Sequence, residues 1–211
     1  MKKWIATLVM LVVMVLPACG VGEETLEAWA HEAGWMPFPL AVQQEGLDAI
    51  WEEAAKGFGD MTGIVMDGPM LKDMMLQGYA YEPQMDFMNV DGNKITMTSK
   101  DGEVMFVHEY HWVETVEDVL DTPVHVFKTE DADAGSYTYL CLTVPQEEKN
   151  AAGNYLTFNL FNAKDHYRMV FDINEGEGVE IPCSMIQADT GTEVLRTEVM
   201  NLFSAPAMMI N

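Results

Sequence analysis

Basic residues are scarce in this chain of 211 residues: 11 Lys and Arg stand against 34 Asp and Glu, and the formal net charge is −23 at pH 7. Binding to nucleic acid requires clustered Lys and Arg that neutralise phosphates, so the composition excludes that class of function. An acidic surface suits cations, or it simply keeps a protein soluble and unassociated. The second effect is the more common one, and we expect a monomer.

Motifs that carry enzyme chemistry are also missing from the sequence. It contains no Gly-x-Ser-x-Gly, no His-Glu-x-x-His, no phosphate-binding glycine loop and no Cys-x-x-Cys. Paired carboxylates occur throughout so acidic a chain, and they therefore indicate no particular site. We expect a binding protein and not an enzyme.

Cysteine is rare, with three residues, whereas methionine is abundant, with 18. In an exported protein Cys141 and Cys183 are candidates for a disulfide. Cys141 lies in an apolar strand pattern, so a buried free thiol is an equal alternative. Thioethers bind Cu(I), so the clusters Met74-Met75, Met85/Met88 and Met208-Met209 permit a copper site, but core packing is the expected role of these methionines.

The one long hydrophobic run lies at the N-terminus. Lys2 and Lys3 precede an uncharged stretch over 4–15, and small residues then lead to Cys19. This pattern is typical of a secretory signal and is too short for a transmembrane helix. A cysteine at this position is typical of a bacterial lipoprotein, in which Cys19 is diacylated, and two acyl chains give a stable anchor. The alternative is an ordinary signal with Cys19 incidental.

This pattern divides the chain into three expected parts. Residues 1–18 are a lipoprotein signal peptide, 19–28 are a lipidated tether, and 29–211 form one folded domain. We therefore expect an extracytoplasmic protein, anchored by lipid to the bacterial cell membrane or to a periplasmic leaflet.

The remaining sequence begins with helical patterns and continues with strands. Apolar residues at helical spacing predict a helix over 47–56, ended by Gly57 and Gly59, and a second over 69–77. A period of two then predicts strands over 84–90, 94–99, 103–116, 123–129, 136–144, 155–162 and 166–173. The strand over 103–116 is too long to be unbent. A last helix over 192–202 is predicted to start at Asp189 or Thr190.

The order of these elements, together with several local sequences, carries a family resemblance. The local sequences are Leu47–Ala55, Met61-Thr62, Gly78-Tyr79, Asp91–Thr96, Ala134–Leu140 and His166–Met169. Over most of residues 29–203 the chain resembles the ZinT/YodA family of lipocalin-like periplasmic proteins. The resemblance implies a mainly β fold: a lipocalin/calycin-like antiparallel β-barrel with a helical N-terminal lead-in and a C-terminal helix. It also implies zinc binding at the barrel mouth, with cadmium as a second accepted metal.

The resemblance implies a zinc site formed by a His-x-His pair on one strand and another histidine upstream. Neutral imidazoles suit zinc, and residues i and i+2 of a strand face the same side. His166 matches the first histidine of the pair. Arg168 stands at the second position, where a guanidinium stays protonated and cannot bind a metal. The upstream stretch 155–162 contains no histidine.

Other histidines are therefore candidate ligands. His108 and His111 are three residues apart, so on a regular strand they face opposite sides, and His108 shares its face with Phe106 and Tyr110. His125 is expected on the face of Phe127, on another strand. For each histidine an ordinary polar strand residue is the alternative.

Arg168 has two expected roles. It forms an ion pair with Asp165 or Asp172, or it binds an anionic ligand inside the barrel.

Two functional hypotheses follow from these residues. In the first, a membrane-tethered ZinT-type protein binds zinc and buffers it, or passes it to the solute-binding component of a metal transporter. In the second, the barrel has lost its metal site and binds a small anionic or apolar ligand or another envelope protein. Copper binding by clustered methionines is a third and weaker hypothesis.

Overall fold

The structure is a computed structural model that describes residues 25–77, 85–117, 123–161 and 183–203. Within these ranges, no helix combines the length and the apolar character needed to cross a bilayer. Five of the described helical elements lie in the chain before or after most of the strands of an antiparallel sheet. They are a 3-10 helix at Leu26–Trp29, α1 at Phe38–Ala41, α2 at Asp48–Thr62, α3 at Gly68–Gln77 and α4 at Thr192–Leu202.

Ten strands of the described residues form one sheet. They are β1 Trp35–Pro37, β2 Phe87–Asp91, β3 Lys94–Thr98, β4 Val104–Glu109, β5 His111–Glu117, β6 Pro123–Lys128, β7 Tyr139–Thr143, β8 Gln146–Asn150, β9 Gly153–Phe161 and β10 Cys183–Gln187. Their order is β4-β3-β2-β1-β10-β9-β7-β6-β5, and β8 pairs with β9 beside this path. All the pairings are antiparallel. The result is a nearly closed barrel, as the sequence predicted.

The chain bends at Tyr110, and this bend joins the two ends of the sheet. Tyr110 separates β4 from β5, the two ends of the strand order, so these strands are consecutive halves of one bent segment. Its backbone N–H donates to the Asn93 carbonyl at 2.8 Å, and its buried hydroxyl donates to the Tyr137 carbonyl at 2.7 Å. The bend predicted within 103–116 is therefore confirmed at this residue.

The N-terminal 3-10 helix and β1 each place a tryptophan in the barrel core, Trp29 and Trp35. Trp29 is buried, and its indole N–H donates to the Thr143 carbonyl at 2.9 Å. The Trp35 indole in turn donates to the Trp29 carbonyl at 2.7 Å. A large ring with one donor suits this position because its apolar body fills the core while its N–H is satisfied. These bonds fix the 3-10 helix to β7 on one side and to β1 on the other.

A second core lies between the sheet and the helices. Its buried residues come from β1, α1, α2, α3, β9, β10 and α4, and they include Trp51, Leu71, Tyr155, Ile186 and Leu195. The Trp51 indole donates to the Val42 carbonyl at 3.1 Å. The predicted amphipathic helix over 47–56 is thus confirmed, with its apolar face on this core.

The end of α2 differs from the prediction. Gly57 and Gly59 were expected to end the helix, but α2 continues to Thr62 and ends at Gly63, which has φ = 75°. Phe58, which lies between the two glycines, packs against the helical core, so the apolar face continues past Gly57. A left-handed residue after the last turn is the usual helix end, and here Gly63 supplies it.

Two further predictions need correction, and one strand was not predicted. Helix α4 does span Thr192–Leu202, but its N-cap is Gly191 and not Asp189 or Thr190. Thr190 donates its hydroxyl to the Gln187 carbonyl at 2.7 Å, so its side chain serves the preceding turn. The predicted strand over 136–144 starts with a 3-10 helix at Gly135–Thr138 before β7. Strand β8 was not predicted, because its sequence is entirely polar.

Methionines of the predicted clusters divide between core and surface. Met88 is fully buried in the barrel and Met85 packs against the same core, as expected of core residues. Met74 is exposed on α3, whereas Met75 packs against the helical core. The Met208-Met209 pair lies outside the described residues.

Candidate functional site

The barrel interior is apolar and largely aromatic. Its buried core contains Trp29, Trp35, Met88, Ile95, Phe127, Tyr137, Leu140, Leu142, Phe158, Leu160 and Met185. Two histidines of the described strands also point into this interior, His108 from β4 and His125 from β6. They are the imidazoles on this face of the described strands, the donor type that suits zinc, so each is considered in turn.

His108 is held in place by an aspartate from a distant turn. The imidazole is 4% exposed, stacks on Phe106 with ring centroids 4.7 Å apart, and places Nδ1 3.0 Å from Oδ2 of Asp131. Asp131 is itself positioned by its backbone N–H, which donates to the Thr129 hydroxyl at 3.2 Å. A carboxylate on one ring nitrogen fixes the orientation of the ring, and metal-bound histidines usually have such a partner. Nε2 of His108 is therefore the nitrogen that this arrangement leaves for a ligand.

The charge of Asp131 also acts on its neighbours. The hydrogen bond from His108 holds the pKa of the Asp131 carboxyl below its ordinary value, so this carboxylate stays ionised at neutral pH. Burial raises the pKa of Tyr110 above its usual range, and the nearby Asp131 charge adds to this effect. Tyr110 is therefore a neutral hydrogen-bond donor and not a base.

His125 has a different environment. It forms a hydrogen bond of 3.1 Å between Nδ1 and the Thr115 hydroxyl oxygen, and its ring packs edge-on against Trp29 at 5.5 Å. Phe127 packs against the same indole at 5.5 Å. The expectation that His125 shares a face with Phe127 is confirmed, and that face is the barrel core.

The two interior histidines lie at different levels of the barrel. His108 contacts Asp131, which follows β6, whereas His125 lies within β6. The extended run from His125 to Thr129, whose N–H still pairs with Thr138, spans about 13 Å at roughly 3.3 Å per residue. The two imidazoles are therefore placed against different parts of β6, His108 beyond its end and His125 within it.

His111 lies on the outer wall of the barrel. It is exposed, as are Val107, Glu109 and Val113, which share its face. Its Nε2 is 3.8 Å from Oε1 of Glu109, both groups are about half exposed, and such a contact contributes little. The prediction that His108 and His111 face opposite sides is therefore confirmed.

Strand β9 corresponds to the upstream stretch of the family resemblance. Its described inward side chains, Leu156, Phe158 and Leu160, all belong to the barrel core or pack against it. This surface offers no metal donor. Within the described ranges, no group of three or more His, Cys, Asp or Glu side chains is arranged to hold a metal ion.

Several predicted site residues lie outside the described residues. They are Cys19, Asp165, His166, Arg168 and Asp172. Their expected roles in lipidation, metal binding and anion or ion-pair formation stay predictions.

Cys141 is buried in this structure and is not in a disulfide. It lies on β7, and Cys183 lies on β10, with β9 between the two strands. Strands are about 4.8 Å apart, so two steps place these backbones about 9.6 Å apart, beyond the span of a disulfide. This spacing favours the buried thiol over a bridge to Cys183. Burial raises the pKa of Cys141 to about 12.

Asp131 is the residue that sequence reasoning did not assign to the site. Its contact with His108 joins positions 23 apart in the chain. The acidic turn around it has the composition of an ordinary solvated loop. The nearest sequence signal is the inward parity of His108, since a buried imidazole requires a partner.

Comparison with solved structures identifies the fold. The crystal structure of Zn(II)-bound AdcA from Streptococcus pneumoniae is similar to this chain, with a TM-score of 0.51 and 13% sequence identity. The match covers 86% of this chain and 36% of the AdcA chain, so this chain spans about a third of that protein's length. The crystal structure of the Zn(II)-bound ZinT-like domain of the same AdcA matches with a TM-score of 0.49 and 14% identity, over 87% of this chain and 93% of that one. No family model matches the sequence, and a search of curated proteins finds no match.

The fold is therefore ZinT-like, as the sequence resemblance implied. The nearly closed antiparallel sheet, the helical lead-in and the C-terminal helix are its parts in this chain. At 13% identity the likeness establishes the fold, and the ligand must be argued from the residues.

Proposed function

We propose that this protein is an extracytoplasmic lipoprotein, anchored through Cys19, whose ZinT-like barrel binds a divalent metal ion, with zinc as the expected metal. The observation that carries the proposal is the ZinT-like fold, since the AdcA crystal structure with this fold is described as Zn(II)-bound. The absence of motifs for enzyme chemistry in the sequence supports a binding role.

His166 is the residue on which metal binding depends in this proposal. The described residues contribute no three-ligand group, so His166 must supply the first imidazole. His108 is the described histidine best prepared to assist, because Asp131 already fixes its Nδ1 and its orientation. Zinc bound in this way would be buffered outside the cytoplasm or transferred to the solute-binding component of a metal transporter.

A second candidate function has a specific observation in its favour. The inward side chains of β9 are apolar, and Arg168 replaces the second histidine of the family pair. Were Arg168 to face the barrel, as its place in the family pattern predicts, its charge beside a largely apolar interior would suit a small ligand with an anionic group and an apolar body. In this alternative the barrel binds that ligand, or another envelope protein, and not a metal.

Zinc titration by calorimetry distinguishes the two functions. We compare the purified protein with His166→Ala, His108→Ala and His111→Ala, the last being a matched control on the outer wall. Metal function predicts one saturable site at micromolar affinity or tighter that is lost in His166→Ala and unchanged in His111→Ala. A weakened site in His108→Ala would add this residue to the ligands.

The opposite result overturns the metal proposal. Weak binding at several sites, equal in all four proteins, is what an acidic surface alone gives to a divalent cation. The second candidate would then be tested with an anionic, apolar dye, whose binding must depend on Arg168.

A further inference from the structure

His31 lies in the lead-in, the segment formed by the N-terminal 3-10 helix and the turn before β1, and it contacts the end of β10. Its Nε2 is 2.6 Å from the side-chain amide nitrogen of Gln187, the last residue of β10. The other ring nitrogen, Nδ1, is 3.3 Å from the backbone nitrogen of Ala33. The ring also packs against Trp35, with centroids 5.6 Å apart. This half-buried imidazole therefore joins the lead-in to the sheet.

Strand β9 fixes the orientation of the Gln187 side-chain amide. The backbone N–H of Leu156, which can only donate, donates to Oε1 of Gln187 at 2.8 Å. A flipped amide would set its NH2 group against that N–H, so that two donors faced each other. Gln187 therefore turns its NH2 group toward His31, and Nε2 of His31 accepts the hydrogen bond.

This arrangement suits a neutral imidazole and not an imidazolium. A neutral ring has one nitrogen that accepts, and Nε2 has that role here, whereas a protonated ring carries hydrogen on both nitrogens and accepts at neither. Protonation of His31 would set one N–H against the NH2 group of Gln187 and the other toward the N–H of Ala33. The ring would then have to leave Gln187, and the hydrogen bond between the lead-in and β10 would be lost.

The charged described residues nearest to this contact along the elements around it are exposed carboxylates. They are Glu27 and Glu32 in the lead-in, Glu147 opposite Leu156 on β8, and Asp189 after β10. Strand β2 contributes the uncharged Met88 and Asn89 next to Gly34. Exposed carboxylates attract an imidazolium only weakly, because solvent and salt screen their charge. They do not replace the acceptor that an imidazolium needs at Nε2, where Gln187 presents a donor.

We propose that His31 and Gln187 form an acid-sensitive latch, which holds the lead-in to the sheet while His31 is neutral and opens when His31 is protonated. An ordinary imidazole changes charge at about pH 6.5, so the latch responds to a change from neutral to mildly acidic surroundings. The lead-in carries Trp29, whose indole packs against His125 in the barrel core. Opening the latch loosens the segment that holds this indole in place, whichever ligand the barrel binds.

Urea unfolding at about pH 7.5 and about pH 5.5 tests the latch with four proteins: the wild type, His31→Gln, Gln187→Glu and the double variant. His31→Gln keeps an uncharged acceptor that cannot be protonated in this range. Gln187→Glu keeps an acceptor for the Leu156 N–H but offers His31 a carboxylate oxygen, which pairs best with an imidazolium. In each background, the difference between the proteins with and without His31 cancels the contributions of the other titrating groups.

We expect the contribution of His31 to change sign between the two backgrounds. With Gln187 present, the change to the lower pH should reduce the urea midpoint by about 0.5 M more in the wild type than in His31→Gln, because one hydrogen bond is lost. In the Gln187→Glu background, His31 should raise the midpoint over the same change of pH. No contribution of His31 in the presence of Gln187, or a contribution of the same sign in both backgrounds, overturns the latch.

A second measurement decides the matter should Gln187→Glu fail to fold. The side-chain amide signals of Gln187 in a nitrogen-15 NMR spectrum report the bond to His31 directly. They should move between the two pH values in the wild type and stay fixed in His31→Gln. Signals that stay fixed in both proteins, or that move equally in both, overturn the proposal.

Discussion

Gly68 and Gly57, both in the helical layer, should respond to the same substitution in opposite directions. A Cβ added to Gly68 would lie 2.7 Å from the backbone nitrogen of Glu52 and 2.9 Å from the backbone carbonyl carbon of Trp51. Both contacts are with backbone, so α3 would have to move away from α2. At Gly57, inside α2, an added Cβ would meet nothing within 4 Å beyond its own helix.

We expect the two substitutions to change the free energy of unfolding in opposite directions. Overpacking costs about 1–3 kcal/mol. Moving α3 would also weaken the bond in which the Gly68 N–H donates to Oε2 of Glu52 at 3.2 Å. We expect Gly68→Ala to lower the free energy of unfolding by about 2–3 kcal/mol. Gly57→Ala should raise it by about 0.5–1 kcal/mol, because alanine is the better helix residue and restricts the unfolded chain.

Urea unfolding followed by tryptophan fluorescence measures both changes, since Trp51 lies at the α2–α3 contact. The midpoint of thermal unfolding should shift in the same direction as the urea result for each variant, by roughly 2–4 °C for each kcal/mol in a domain of this size. A neutral Gly68→Ala, or equal shifts in the two variants, would refute the close packing of α3 on α2.

Three further predictions concern the bend at Tyr110, the carboxylate of Asp131 and the thiol of Cys141. Tyr110→Phe removes the donor to the Tyr137 carbonyl and should cost about 1–2 kcal/mol in urea unfolding, and a loss below 0.3 kcal/mol would contradict the role of Tyr110 at the bend. The lowered pKa of Asp131 contributes stability that is present above its unfolded pKa of about 4 and lost as pH falls through the lower folded value. Acid unfolding of Asp131→Asn should lack that part of the pH dependence while Asp133→Asn keeps it, and identical profiles would refute the effect. With its pKa raised to about 12, Cys141 should react with a thiol reagent at pH 8 only after unfolding in a Cys183→Ser background, so prompt native reaction would contradict its burial.

The spacing of apolar residues predicted the helices and strands that bury one apolar face. Trp51 and Ala54 lie on the buried side of α2 because helical spacing puts apolar residues on one stripe. Alternation along 103–116 predicted that His108 and His111 face opposite sides, since successive strand residues alternate, and the structure adds that His108 is the inward one. Length alone predicted a bend within 103–116, because a straight strand of that length exceeds what a small barrel accommodates, but it did not locate the bend at Tyr110.

Contacts between distant segments could not be predicted in this way. The bond between His108 and Asp131 depends on how the turn after β6 meets the end of β4, and nothing local in either segment encodes it. Strand β8 has no apolar face, so its pairing with β9 comes from backbone hydrogen bonds and leaves no sequence pattern. Cys141 was equally compatible with a bridge or a free thiol until the strand order placed β9 between it and Cys183.

Zinc-edge X-ray absorption of the protein loaded with one equivalent of zinc tests the central claim most directly, because it reports the ligands themselves. Binding through His166 predicts imidazole nitrogens at about 2.0–2.1 Å, with at least one lost in His166→Ala and none lost in His111→Ala. A spectrum with oxygen ligands alone, or one unchanged by His166→Ala, would contradict zinc binding in this barrel.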